Sequence, residues 1–538
     1  MPQRSKIAIK VPPHLLPSDI SVFGYGVTSK PFVEFINSLG KTCAIYDDRF
    51  EVASSDECGN SLLPPSAFDE GKSSLEFISP GILPTHRYFS KARNPIGEYD
   101  YAYELMSAND FVLKSIWISG TNGKTTTTQM LTYLLEDFGA LCGGNIGTPL
   151  TTLALKHAQV LDSTPKNPPY KEDYQNNAQE KKEKNAPKDS KKEPFWVLES
   201  SSFAMHYSYI ATPQIYLLLP LSQDHISWHS GYEGYIEDKL RVLSRMGKDT
   251  CALLPQELKS HKIVQEYTRK AKSKGAIFYE NSSDLAKFLG IELDSIPFGE
   301  PFLLDALVAL SGAVLAQKMG LLEDFVDSNC AYFLEKLKSF HIGAHRIEEF
   351  YEPYKQNNAK SNLQWLWVDD SKGTNTDATL KAFARYKGRR IYAVLGGDDK
   401  GADIEPIFAL IADGFCKNDN NAKNSFVKIF AIGSNEAKIL SLAQKYGIPA
   451  LACQNLKNAI ARIKSEREKD LIEFCNDFTD KATQQKTQRN TKQNAKQDFI
   501  ADFITSFVGL LSPAAASLDQ FRSYKERGEL FKQYALES

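Results

Sequence analysis

The sequence predicts an α/β protein of three domains, each built on a largely parallel sheet. Short apolar runs alternate with stretches of helical periodicity along most of the chain. Glycine-rich turns follow several of those runs, and 538 residues exceed what one hydrophobic core supports.

Three groups of strand and helix signals follow in order. The first opens with Ile20–Phe23, a glycine turn, a helical pattern over 30–39 and a second strand at Cys43–Tyr46. The second begins with a strand at 115–118 and extends past a helix at 303–319. The third has strands near 366–368, 390–395, 427–432 and Phe507–Leu511, which places boundaries near residues 113 and 341. Two polar segments interrupt the pattern. Residues 163–194 mix both charge signs with prolines and almost nothing apolar, so they cannot recover the entropy of ordering and are expected to be a disordered surface insertion. Residues 480–497 read equally as a solvated helix or a loop.

A composition of 42% hydrophobic and 24% charged residues is that of a folded globular chain, and a net charge of −2 provides no general field for nucleic acid or anionic membrane. The eight cysteines are scattered without metal or redox spacing and are expected to be reduced and mostly buried. The N-terminal segment carries prolines and charges where a signal peptide needs an apolar stretch, and no segment is long enough to span a bilayer, so a cytoplasmic protein with no membrane insertion is expected. Nothing calls for a second subunit, and a monomer is expected.

Gly120-Thr121-Asn122-Gly123-Lys124-Thr125-Thr126 stands between an apolar strand and a helical pattern. Small residues let successive backbone N–H groups point into a phosphate-sized hollow, where Lys124 reaches terminal phosphates and Thr125 can ligate magnesium. The loop is shorter than the general phosphate-loop pattern, because Ile118 stands where its first glycine belongs. Glu199 follows a strand at 195–198, where nucleotide sites often supply a carboxylate for magnesium; a lone strand-end Glu is usually just solvated, but its place after a nucleotide loop, beside Ser200 to Ser202, favours the metal role. By themselves, Asp224-His225 would be a structural pair and Lys239 an exposed helical cation. Gly24-Tyr25-Gly26-Val27-Thr28-Ser29 followed by Asp47 is a partial dinucleotide fingerprint lacking its third glycine. Lys400, after a Gly-Gly turn, is well placed to meet a carboxylate, though loop lysines commonly face only solvent.

The GTNGKT loop resembles that of the Mur ligases and folylpolyglutamate synthetases. Gly144-Asn145-Ile146-Gly147, Glu199-Ser200-Ser201-Ser202-Phe203, Asp224-His225, Lys239, His345-Arg346-Ile347-Glu348, Asp370-Ser371-Lys372, Gly396-Gly397-Asp398-Asp399-Lys400 and Leu511-Ser512-Pro513-Ala514 follow in the order that family uses. The resemblance covers about residues 20 to 530. Asp370 to Asn375 and the stretch from Leu510 to Phe521 look like the branch that adds D-glutamate to UDP-N-acetylmuramoyl-L-alanine.

The resemblance implies a Rossmann-like UDP-binding domain over residues 1–113, a central P-loop ATPase-like domain over 114–341 and a Rossmann-like D-glutamate-binding domain over 342–538. It implies ATP held by Gly120, Thr121, Asn122, Gly123, Lys124, Thr125, Thr126, Arg346 and Asp370. The UDP substrate would be held by Val27, Thr28, Asp47, Asp48, Arg49, Gly81 and Asn145, and D-glutamate by Lys372, Thr374, Lys400, Ser517 and Tyr524. Two Mg²⁺ ions would sit on Thr125, Glu199, His225 and a Lys239 carbamylated by carbon dioxide, with Lys124, His225 and Lys239 catalytic. The implied chemistry is an acyl phosphate, formed when the third domain closes. Partners are thus small molecules, without nucleic acid. Three departures stand out: Pro301-Phe302-Leu303-Leu304-Asp305 lacks the asparagines expected at adenine, Ala204 replaces a common glutamine and Pro220 a common asparagine. Looser base discrimination is expected, measurable by comparing ATP with GTP and ITP in turnover. The rivals are a nucleotide-binding scaffold without activity and a folylpolyglutamate synthetase.

Overall fold

A computed structural model describes residues 9–159, 193–271, 275–322, 330–354, 363–414, 426–484 and 499–537. The insertion expected at 163–194 lies outside them apart from its last two residues, and of 480–497 only the first five are described. The chain forms two compact units, residues 1–340 and 341–538.

Unit 1 holds two six-stranded sheets. The first comprises β1 (Ile20–Phe23), β2 (Cys43–Tyr46), β3 (Ser54–Ser55), β4 (Ser61–Leu63), β5 (Leu75–Ile78) and β6 (Pro95–Ile96), in the order β3-β4-β2-β1-β5-β6. All its pairings are parallel except β3 with β4. Helices α1 (Ser29–Ser38) and α2 (Glu98–Ser107) accompany it. Because β1 lies between β2 and β5, the turns after Phe23, Tyr46 and Ile78 open on one edge.

The second sheet is wholly parallel: β7 (Lys114–Ser119), β8 (Ala140–Gly144), β9 (Phe195–Glu199), β10 (Ile215–Leu218), β11 (Cys251–Pro255) and β12 (Ala276–Tyr279), in the order β12-β11-β10-β7-β9-β8. Its helices are α3 (Lys124–Leu135), α4 (Leu150–Gln159), α5 (Ser202–His206), α6 (Tyr232–Leu240), α7 (Lys262–Ala271), α8 (Ser282–Leu289), α9 (Phe302–Lys318) and α10 (Ala331–Leu337). Every residue of β9 and β10 is buried, as a parallel strand covered on both faces requires. Helix α9 is buried almost all round, and a side chain at Gly312 would press on Leu217 and Leu131, so this glycine lets the helix seat closely.

One apolar core runs through both sheets of unit 1. Helix α2 stitches them together. Tyr99 donates to the Glu199 carbonyl (3.1 Å), and the Asp100 carboxylate accepts from Ser208 Oγ and from the backbone N–H groups of Tyr209, Ile210 and Ala211 at 2.6–3.1 Å.

Unit 2 holds one sheet: β13 (Glu348–Pro353), β14 (Gln364–Asp369), β15 (Arg390–Gly396), β16 (Phe426–Ile432), β17 (Ala450–Gln454) and β18 (Phe507–Leu511), in the order β13-β14-β18-β15-β16-β17. Only β13 runs antiparallel. Its helices are α11 (Thr376–Arg385), α12 (Glu405–Gly414), α13 (Glu436–Lys445), α14 (Leu456–Gln484), α15 (499–506) and α16 (Tyr524–Leu536). Helix α14 continues into the start of the polar run, so residues 480–484 are helical. Asn375 caps α11 and Ser523 caps α16, each side chain accepting a free N–H of the first turn.

Among the described residues, no helix is long and apolar enough to cross a membrane. Five of the described cysteines are buried free thiols; Cys142 is half-buried, Cys58 is exposed, and Cys416 lies outside the described residues.

Candidate active site

Strand register assembles the site in the second sheet. Ile118 pairs with Glu199, Glu199 with Gly144, and Ser119 with Leu218, so the loops after β7, β8, β9 and β10 leave one edge together. Ligands of open α/β sheets bind in the crevice at that edge.

The glycine loop after β7 holds a conformation that its glycines alone permit. Gly120 (φ 147°) and Gly123 (φ 81°) occupy backbone conformations that side chains rarely adopt. A Cβ at Gly120 would come within 2.5 Å of Leu219 Cβ, and one at Gly123 would overlap the Asp305 carboxylate. Thr121 Oγ1 is tied to the Ser222 carbonyl (3.0 Å) and Tyr235 hydroxyl (2.8 Å), while Lys124 Nζ donates to the carbonyls of Gly120 (2.9 Å) and Thr121 (2.7 Å). Lys124 and Thr125 open α3, next to Thr126. Asp305, in the first turn of α9, therefore helps shape the loop even though the asparagines expected near it are missing.

Glu199 is 2% exposed. Its Oε1 accepts from Asn145 Nδ2 (2.8 Å), and its buried Oε2 has no hydrogen-bond partner among the described residues. A buried carboxylate oxygen left unpaired beside a phosphate loop suits a divalent cation. Asn145, expected at the diphosphate, is thus engaged with Glu199. Lys239 is 1% exposed, and its Nζ donates to Gly120 O (2.9 Å) and Ser119 Oγ (3.2 Å). Burial, and then the positive charge of Lys124, push its pKa well below that of an ordinary lysine. His225 has a left-handed backbone (φ 51°), lies 3.6 Å from Asp224 and packs on Phe203 with ring centroids 4.6 Å apart. The residues expected at magnesium therefore gather on one edge of one sheet.

The first sheet's edge brings together another expected set. Asp47 accepts from Tyr25 N (2.7 Å) and from Arg49 Nε and Nη2 (2.7 and 2.8 Å). Hydrogen bonding from Arg49 outweighs burial and holds its carboxyl at about 2. Asp48 lies 3.5 Å from His86, Val27 is 85% exposed, and a Cβ at Gly81 would meet nothing within 4 Å. Gly24, with φ 81°, lets the turn close over Ser79, and Ser29 donates to its carbonyl (2.5 Å); the missing third glycine is thus replaced by a serine that braces the turn.

In unit 2 the loops after β14, β15 and β18 converge. Asp370 is buried, accepts from Ser512 Oγ (2.7 Å), and has its pKa raised by burial to about 7. Lys372 Nζ lies 4.1 Å from the centre of the Tyr524 ring, a cation–π contact. Ser517 is buried, and Asp398 in the Lys400 turn exchanges two backbone hydrogen bonds with Ala516. Thr374 follows Lys372 on the Asp370 loop. Arg346 stands between His345 and Ile347, both left-handed, and His345 Nδ1 is 2.6 Å from Asp369. Sequence reasoning missed the cluster of His345, Glu348 and Asp369, whose ligand-capable atoms lie together; Lys532 reaches Glu348 at 2.5 Å and supplies its positive charge.

The sequence profile of the Mur ligase middle domain matches residues 118–348. A UDP-N-acetylmuramoylalanine--D-glutamate ligase of Campylobacter jejuni is 36% identical over 514 residues, covering 96% of this chain and 98% of the relative. One of Helicobacter pylori is 36% identical over 519 residues, covering 96% and 99%. Among solved structures, MurF of Acinetobacter baumannii aligns over 96% of this chain and 90% of its own at 14% identity, with a TM-score of 0.47, too loose to add to the sequence match. With relatives matching over nearly their full length and a nucleotide loop set on a parallel sheet, the chain belongs to the Mur ligase family.

Proposed function

We propose that the chain joins UDP-N-acetylmuramoyl-L-alanine to D-glutamate through an amide bond, with conversion of ATP to ADP and phosphate. The observation that carries this reading is the convergence of the glycine loop, the unpaired Glu199 oxygen and buried Lys239 on one sheet edge. The names of the two relatives supply the substrates.

The alanyl carboxylate oxygen attacks the γ-phosphorus and ADP leaves, giving an acyl phosphate. The D-glutamate amine then adds to the acyl carbon, loses a proton, and phosphate departs from the tetrahedral intermediate. Backbone N–H groups of 120–126 and the Lys124 ammonium orient the triphosphate and stabilise charge on the transferring group. Thr125, Glu199, His225 and carbamylated Lys239 would hold two Mg²⁺, which offset repulsion between carboxylate and triphosphate. The depressed pKa of Lys239 supports carbamylation, because only the neutral amine adds to carbon dioxide, releasing a proton and leaving an anionic ligand. Asp47, Asp48, Arg49, Val27, Thr28, Gly81 and Asn145 would hold the uridine diphosphate. Lys372, Thr374, Lys400, Ser517 and Tyr524 would face D-glutamate, and Arg346 and Asp370 would face ATP. The reaction would run in the cytoplasm, with the chain acting as a monomer.

The test is to supply the purified chain with ATP, Mg²⁺, the muramoyl nucleotide and either D- or L-glutamate, following ADP and the product mass. D-glutamate should yield ADP and one new amide; release of neither refutes the reading. A folate acceptor in place of the nucleotide should give no product.

A further inference from the structure

Behind the magnesium edge of unit 1 lies a buried chain of hydrogen bonds that the reaction above does not use. Asp238, one residue before Lys239 on α6, accepts from His206 Nδ1 (2.9 Å), His229 Nδ1 (2.7 Å) and Arg241 Nη2 (2.8 Å). With the Arg241 guanidinium and His206 both on its Oδ1, the Asp238 carboxylate is the acceptor of this cluster. His229 must then donate through Nδ1, leaving Nε2 for Ser202 Oγ at 2.9 Å. The His229 side chain is fully buried, and Ser202 and Asp238 are buried as well. A serine, histidine and aspartate in this order would form a nucleophile's relay if Ser202 were accessible, which its burial excludes.

Each part of the chain adjoins one proposed magnesium ligand. Ser202 lies three residues beyond Glu199 on the loop after β9. The Phe203 ring stacks on His229 (centroids 5.4 Å apart, 7° between planes) and meets His225 edge-on at 4.6 Å. The His229 N–H donates to the His225 carbonyl, and Asp238 precedes Lys239. Groups behind metal ligands fix the ligands' orientation, and losing one typically costs about 10- to 100-fold in metal affinity or activity.

We propose that Ser202, His229 and Asp238 form a positioning relay that holds Glu199, His225 and Lys239 in register for divalent metal. This inference rests on the metal reading above. Its test is direct binding of Mn²⁺, followed by electron paramagnetic resonance on the full chain with a non-hydrolysable ATP analogue, together with the metal dependence of turnover. Ser202→Ala removes one hydroxyl, and His229→Phe keeps a ring against Phe203 while removing both bonds. Each should weaken Mn²⁺ binding by about 10-fold and raise the Mg²⁺ needed for half-maximal turnover similarly, with kcat at saturating metal changed far less. Glu199→Gln should nearly abolish binding. If Glu199→Gln does so while both relay variants bind Mn²⁺ like the parent, whatever their melting temperatures, the relay is only structural and the inference is overturned. If Glu199→Gln also leaves Mn²⁺ binding unchanged, the metal reading itself falls and takes the relay with it.

Discussion

At Gly123 a single hydrogen decides whether the nucleotide loop can form. The φ of 81° disfavours any side chain, and a Cβ there would overlap the Asp305 carboxylate at the start of α9. Gly123→Ala should therefore lower ATP-dependent turnover by about 10²-fold or more, since small displacements at a phosphate site carry penalties of that size; initial-rate assays with titrated ATP would measure it. Lys239→Ala should nearly abolish turnover, and added short carboxylates should restore part of it by standing in for the carbamate; no rescue would count against carbamylation. The loop was legible in the sequence because small residues between a strand and a helix have one common use. Glu199 was singled out by its place at a strand end after the nucleotide loop, whereas His225 and Lys239 were singled out only through family resemblance, since an Asp-His pair is commonly structural and a helical lysine commonly solvated. The relay was not legible at all: Ser202, His229 and Asp238 lie on three separate segments, and only the fold brings them within hydrogen-bond reach.

Helix α2 carries acids that no sequence motif singles out. Its sequence, EYDYAYELMS, places acids where a surface helix would, yet Glu98 and Asp100 are buried because they serve the neighbouring layer. Glu98 Oε1 accepts the Leu150 N–H (2.7 Å) at the start of α4, and burial raises its pKa to about 8. With the folded pKa above the unfolded value near 4.5, the folded state binds more protons between these limits. The contribution of Glu98 is thus fully present below about pH 4.5 and lost as pH rises through about 8. Glu98→Gln keeps the acceptor without the charge, so its melting temperature relative to the parent should climb from pH 5 to pH 8.5; a constant difference would refute the assignment. Strands were uneven in legibility. Apolar runs such as β9 were visible, whereas β13 (EEFYEP) was not, because this edge strand places Glu348 and Glu352 on its half-buried face, where Lys532 and Arg467 pair with them. β3, of two residues, is too short to leave a pattern.

On the scale of the whole molecule, the groups expected to hold the muramoyl nucleotide and the phosphate loop belong to unit 1, and those expected at D-glutamate belong to unit 2. Calorimetry should resolve two transitions. ATP analogue with Mg²⁺, or the muramoyl nucleotide, should raise the one belonging to residues 1–340, by about 2.7 kcal/mol at a hundredfold excess over Kd, while D-glutamate should raise the other. A single transition shifted equally by every ligand would show the units to be thermodynamically inseparable. The alternation of strands and helices foretold three sheets, but not that the first two share a core, because no motif singles out the Asp100 carboxylate that knits them. That seam has a pharmacological consequence. If the residues proposed for uridine diphosphate and for the triphosphate hold these groups, both sets lie in one compact unit whose two sheets share a core, so a bisubstrate inhibitor tethering a uridine diphosphate mimic to an ATP mimic should favour a short linker of fixed length.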